Sequence, residues 1–294
     1  MRQLPRLAEQ VSVGQELKVF FMGDLHLGAP DTDYKLIANH IKIVEDDPDA
    51  RLVFMGDAGE FIDFRDPRFK PDVASKMPRR YKDAHLSLDG GVVQEAIDHA
   101  CELFERVARQ GKVWAWLDGN HEEKVVTKHS FSPGQMMCKE LNILSRYVGY
   151  GGYVPIHLVR HQAKKVGYTL KLDLHHGWSA GRRDGGTLNA AHTELANTDA
   201  DVIARGHSHK RGTWAFDAWR VGHKLPIEWQ RFFITTGTYK RGHVDTNVAE
   251  PPSTTYELRK GFTPKTTANM GGVWLTVSLT SGHDQKPISM SARL

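Results

Sequence analysis

Five short apolar runs in this chain end in the same way, and that repetition constrains the fold more than any other feature. Residues 18–23 (KVFFMG) lead into Asp24 and His26, and 51–56 (RLVFMG) lead into Asp57. Residues 112–117 (KVWAWL) are followed by Asp118, Gly119, Asn120, His121 and Glu122. Residues 168–174 (YTLKLDL) run into His175, His176 and Gly177, and 201–205 (DVIAR) into Gly206, His207, Ser208 and His209. Runs this short, rich in β-branched and aromatic residues, predict buried strands rather than helices. Residues 231–236 (RFFITT) predict a sixth strand, with 214–219 and 273–279 as weaker candidates.

Helical patterns lie between the runs. Over 32–45, Ile37, Ile41 and Val44 share one face, with Asp31 or Thr32 as the N-cap. Over 92–109, Val93, Ile97, Ala100, Phe104, Val107 and Ala108 form a stripe at 3.6-residue spacing. Helices are also predicted over 136–147 and 187–197. Strands alternating with helices define an α/β fold. In such folds, strand C-termini gather at one sheet edge, where ligands bind. The Asp, Asn and His residues are therefore expected to converge, although they lie between positions 24 and 209.

Composition excludes several other classes. With 294 residues, 25% of them charged and a net charge of only +4, the chain is neither disordered nor fibrous. No Ser/Gly linker divides it, so a single domain over 1–294 is expected. That domain carries a basic inserted loop around 61–90 and a C-terminal strand-rich extension around 243–294. Two cysteines, Cys101 and Cys138, cannot build a disulfide framework. The N-terminus is polar, and no apolar run approaches the ~20 residues that span a bilayer. A soluble, cytoplasmic protein with no membrane partner is expected. The unusual count is 16 His.

Carboxylate, amide and imidazole donors without thiolates suit Mn, Fe, Ni or Zn rather than an iron–sulfur cluster. Seven or eight such groups exceed the needs of one tetrahedral site and point to two metals. Taken singly, each element has a bland reading. Asp-x-His is a helix cap beside a surface His, Gly-Asp is a turn, and Gly-His-Ser-His is a solvated strand face. Five in order, each at a predicted strand end, are a different matter.

The series D-x-H, G-D, G-N-H-[E/D], H-G, G-H-x-H resembles the signature of the calcineurin-like metallophosphoesterase superfamily. It is present here as DLH at 24–26, GD at 56–57, GNHE at 119–122, HHG at 175–177 and GHSH at 206–209. The resemblance implies a four-layer α/β/β/α sandwich, metallo-dependent phosphatase-like, in which two mixed sheets are flanked by helices. It implies a first metal held by Asp24, His26, Asp57 and His209. Asp57 then bridges to a second metal held by Asn120, His207 and the histidine of H-G. His176, which directly precedes Gly177, is preferred over His175 for that last position. The implied cofactors are two divalent or transition ions (Mn, Fe, Zn or Ni), with Mn favoured for activity. The implied reaction is hydrolysis of a phosphodiester or phosphomonoester by a metal-bridging hydroxide, with His121 as general acid. In many relatives an Asp three residues after the bridging Asp orients the catalytic His. Here that position is Glu60, and the following Arg of the Ser/Thr phosphatase branch is Phe61, which argues against that branch.

Substrate choice has two candidate determinants. Residues 65–82 hold seven Lys/Arg against two Asp, a local balance of +5, with Phe69 and Tyr81 as rings that could stack on bases. Arg182 and Arg183, after the fourth motif, are candidates to bind substrate phosphate. Tyr239, Lys240 and Arg241 are expected to border the pocket. The alternative function is a DNA or RNA nuclease of the repair-exonuclease type, reaching nucleic acid through 65–82. A non-catalytic scaffold on the same fold ranks last, because every expected ligand is present. The oligomeric state is not legible.

Overall fold

The computed structural model describes residues 2–3, 7–62, 66, 77–85, 91–161, 165–177, 184–220, 226–242, 270–281 and 287–294. The strands are β1 (Arg2–Gln3), β2 (Leu7–Val11), β3 (Glu16–Met22), β4 (Ala50–Phe54), β5 (Val113–Leu117), β6 (Tyr147–Gly149) and β7 (Gly151–Arg160). They continue with β8 (Lys165–His175), β9 (Val202–Arg205), β10 (Gly212–Arg220), β11 (Ile227–Thr235), β12 (Val273–Leu279) and β13 (Ile288–Arg293). The helices are α1 (Tyr34–Asp46), α2 (Arg79–His85), α3 (Gly91–Arg109), α4 (Asn120–His129), α5 (Pro133–Glu140) and α6 (Asp184–Asn197).

Two mixed sheets result. One has the order β13-β12-β3-β4-β5-β6, and the other β1-β7-β8-β9-β11-β10, with β2 also pairing β7. β3, β4, β5 and β6 run parallel, as do β8, β9 and β11. Side-chain alternation along β3 explains the layering. Leu17, Val19 and Phe21 enter the core between the sheets, where they join Leu172, Leu174, Val202 and Ile234. Phe20 and Met22 point the other way, against Ile37 and Ile41 of α1 and Ile97 and Phe104 of α3. On the outer face of the second sheet, Ala191 of α6 packs with Ile203 and Phe233. The layers are helix, sheet, sheet, helix, as expected. Among the described residues no helix is long and apolar enough to cross a membrane.

Lys112 joins two of these layers. Its ammonium donates to the carbonyls of Val44, Glu45 and Asp47, each at 2.8 Å, and so satisfies the C-terminal end of α1.

Several expectations are corrected. The cap of α1 is Asp33, whose carboxylate accepts from Leu36 N at 3.0 Å. Thr32 is engaged elsewhere, donating to the His26 carbonyl, and Asp31 accepts from Gly242 N. The helix expected over 136–147 is α5, which starts earlier at Ser132–Pro133 and stops at Glu140. Asn142 then takes a left-handed φ of 57°, and Tyr147 joins β6 beside Trp116. β7 was not expected. Its pattern is half-buried and contains Pro155, which falls between the residues paired with β1 and those paired with β2. Within the strand-rich stretch expected around 243–294 lie β12 and β13, and β12 pairs with β3. Tyr81 is fully buried, so it is not a ring available to bases. Residues 243–269 and most of 65–82, including Phe69, lie outside the described residues.

Candidate metal centre

Three parallel strands of one sheet and two of the other end at a common edge, and the loops beyond them bring the five motifs together. The loops after β3 and β4 continue the pairing of their strands. Asp24 N donates to Gly56 O at 2.9 Å, His26 N to Asp57 O at 3.1 Å, and Leu27 N to Ala58 O at 2.9 Å. The fourth and fifth motifs join through Gly206 N and His176 O at 2.8 Å. His207 N donates to Asp24 Oδ2 at 3.1 Å, which links the two sheets' contributions.

Five of the seven predicted ligands have left-handed backbones: Asp24 (φ 53°), His26 (51°), Asp57 (53°), His207 (62°) and His209 (55°). Each non-glycine residue so placed costs on the order of 1–3 kcal/mol. Only three other described non-glycine residues share this geometry. The strain is concentrated where the side chains must turn inward. Close packing at the glycines leaves the loops no room to relax. A Cβ on Gly119 would lie 2.1 Å from Asp57 Oδ1, and one on Gly56 would lie 2.7 Å from His176 Nδ1.

The side chains form two groups. In the first, His26 Nε2 and His209 Nε2 are 3.0 Å apart, and Asp24 Oδ1 is 3.3 Å from His209 Nε2. In the second, His176 Nε2 is 3.3 Å from Asp57 Oδ2 and 3.2 Å from Asn120 Oδ1. His207 Nδ1 lies 2.6 Å from the same Asn120 oxygen. Asp57 stands between the groups, with its Oδ2 3.9 Å from His26 Nε2. The Asp24 Oδ1 atom is buried with no hydrogen-bond partner. Converging imidazole nitrogens and an orphaned buried carboxylate oxygen are a donor set that a cation would complete. The geometry therefore fits the metals that the sequence implies.

Electrostatics agree. Burial disfavours charge on Asp57, yet His176, His121 and His26 hold its carboxyl well below the usual range. Asp24 is likewise lowered, by His209 and His176 against burial. Burial opposes charge on His176, but Asp57 and Asp24 raise its pKa to about 10. Its chain neighbour His175 moves the opposite way, to about 4, through burial and the charges of Arg205 and His176. Adjacent histidines thus face opposite environments. His176 is fully buried in the cluster with Nδ1 fixed at 2.8 Å by Met55 O, whereas His175 Nδ1 accepts from Gly177 N.

His121 sits at the rim of the cluster. Its backbone N–H donates to Asp57 Oδ1 at 2.9 Å, and Nδ1 lies 2.7 Å from the Glu60 carbonyl oxygen. A carbonyl only accepts, so Nδ1 carries the proton there. The Glu60 carboxylate goes elsewhere, with Oε2 2.9 Å from His26 Nδ1. Lys240 is buried beside it, while Tyr239 is in the core and Arg241 pairs with Asp33 at 2.7 Å. Arg182 and Arg183 lie outside the described residues.

Sequence reasoning missed Glu122 as a structural element of the site. It is fully buried and accepts from Ala58 N (2.7 Å), Asp57 N (3.1 Å) and Gly119 N (2.8 Å). It therefore clamps the second motif to the third. Burial, Asp57 and Asp118 push its carboxyl well up, while the amide donors pull against them. The signal was present, because a Glu three residues after Gly119 is a capping-box position.

A two-sheet α/β sandwich with an oxygen- and nitrogen-donor cluster at one sheet edge defines a metallophosphoesterase architecture. The family model for calcineurin-like phosphoesterases matches residues 17–211, and the chain belongs to that family. No curated protein matches it by sequence. Similar solved structures include a conserved uncharacterized protein, a predicted phosphoesterase, from Streptococcus pneumoniae. It is 13% identical, with a TM-score of 0.32, covering 95% of this chain and 99% of that one. Vps29 from Entamoeba histolytica, complexed with zinc, is 11% identical at a TM-score of 0.34, covering 94% and 98%. A metallophosphoesterase from Sphaerobacter thermophilus is 10% identical at 0.35, covering 78% and 79%.

Proposed function

We propose that this protein is a metal-dependent hydrolase of phosphate monoesters or diesters that works through two metal ions, with manganese favoured. Asp24, His26, Asp57 and His209 hold the first ion, and Asp57, Asn120, His176 and His207 hold the second. The observation that carries this reading is a chain of three overlapping donor clusters, Asp24–His26–His209, His26–Asp57–His121 and Asp57–His176–His207, each with its ligand atoms within 4.8 Å of one another. Two such ions supply an activated water and Lewis-acid stabilisation of the phosphoryl oxygens.

The chain's own residues do the rest. His121 delivers a proton to the leaving oxygen, with its ring held by the Glu60 carbonyl at Nδ1 so that Nε2 faces the departing group. Glu122 keeps the bridging and acid-bearing loops in register through its three amide contacts. Arg182 and Arg183 are the proposed phosphate grips. The intact donor set weighs against a non-catalytic scaffold.

The test is a substrate panel with Mn²⁺: a phosphodiester, a phosphomonoester, and single- and double-stranded DNA. Metal-dependent turnover of a small ester, with a shallow dependence on salt, is expected. A nuclease that neutralises several phosphates loses affinity with a slope of about −0.7 to −0.9 per contact, and that result would move the assignment to nucleic acid.

A further inference from the structure

Residue 60 has three separate attachments within the site. Its backbone N–H donates to Leu27 O at 2.9 Å, which ties it to the loop of the first motif. Its carbonyl holds His121 Nδ1 at 2.7 Å. Its carboxylate lies 2.9 Å from His26 Nδ1 and 3.6 Å from Lys240 Nζ. No hydrogen bond joins these two atoms, so the His26 contact is a close charge contact. All three side chains are removed from solvent: His26 is 3% exposed, Lys240 9% and Glu60 15%. Lys240 also lies 3.9 Å from Asp31.

We propose that Glu60 is a positioning residue for the metal ligand His26, and that Lys240 holds the Glu60 carboxylate in place. The inference rests on the two-metal reading above and deepens it. A carboxylate at Nδ1 puts the ring proton on that nitrogen and leaves the Nε2 lone pair facing Asp24 and His209. The division of labour at residue 60 has a consequence. Its hold on His121 is a backbone carbonyl, which no side-chain substitution removes. Its hold on His26 is a side chain, which a substitution does remove.

The test is calorimetric titration of chelator-stripped protein with Mn²⁺, for wild type, Glu60→Gln, Lys240→Met and Lys240→Arg. Wild type is expected to bind two ions. Glu60→Gln should weaken one of them by about 10–100-fold, the usual effect of losing an outer partner of a metal-bound His, and leave the other unchanged. Its turnover at limiting Mn²⁺ should fall in step with the occupancy of the weakened site. Lys240→Met should loosen the same ion by a smaller factor, and Lys240→Arg should restore it. The proposal is overturned if Glu60→Gln binds both ions like wild type and instead loses turnover on poor leaving groups, which would place Glu60 behind His121. If Glu60→Gln fails to fold, unchanged Mn²⁺ affinity in Lys240→Met overturns it equally. Wild type binding fewer than two ions overturns the two-metal reading itself, a failure visible before any variant is made.

Discussion

Histidines shielded from solvent behave in opposite ways in two regions of this molecule, half-buried in the helical layer and fully buried at the sheet edge. In the helical layer, His40 of α1 contacts the Tyr239 hydroxyl at 2.8 Å, and His99 of α3 contacts the Tyr81 hydroxyl at 2.9 Å. Burial, reinforced by Arg211 and Arg80 respectively, drives both pKa values down to about 4. At the sheet edge, His26 and His176 are more deeply buried, yet both are raised. Burial opposes charge in both regions, so the carboxylates of Asp24, Asp57 and Glu60 decide the difference. A half-buried histidine paired with a tyrosine hydroxyl, as His40 and His99 are, is structural. A fully buried histidine set among carboxylates, as His26 and His176 are, offers a donor to the proposed cation site.

The largest break in that contrast is Asp57→Asn. It removes the carboxylate shared by both donor groups. Metal content should collapse, and turnover should fall on the order of 10³-fold or more, because bound ions supply several kcal/mol of transition-state stabilisation. Elemental analysis and steady-state rates measure both effects. Next is His121→Ala, which should keep its metal while losing about 10²–10⁴-fold in rate. The loss should be greater for an alkyl ester than for a nitrophenyl ester. Equal losses on the two would show that His121 is not the acid.

The smallest effect belongs to the helical layer. His40 and His99 have folded pKa values of about 4, below the 6.5 of an unfolded histidine. The unfolded chain therefore binds protons that the folded chain refuses. The stability they contribute is complete above pH 6.5 and is lost as the pH falls towards 4. Denaturant midpoints at pH 7 and pH 5 should differ less in a His40→Gln/His99→Gln double variant than in wild type. An identical difference in the two proteins would remove these residues from the acid response.

Four of the five strands that carry the motifs were readable because β3, β4, β5 and β9 are buried along most of their length and so appear as apolar runs. β7 was not, because its alternating burial and Pro155 erase that signal. Converging side chains were legible from strand-end chemistry alone, but their partners were not. Whether Glu60 meets His121 through its side chain or its backbone depends on a left-handed turn at Phe61 (φ 49°) and on the Leu27–Gly59 bridge. Spacing in a sequence does not encode such contacts. The same holds for Tyr81, which looks like an exposed ring in a basic segment. The structure instead packs it over Gly28, where an added Cβ would sit 3.1 Å from the ring.

The central claim is that Asp57 joins two donor groups into one two-metal centre. Anomalous diffraction from crystals of the wild-type protein grown with Mn²⁺ tests it most directly. The account predicts two anomalous peaks about 3.5–4 Å apart, the spacing of two-metal hydrolytic sites, with Asp57 between them. A single peak, or two peaks that do not share Asp57, would contradict it.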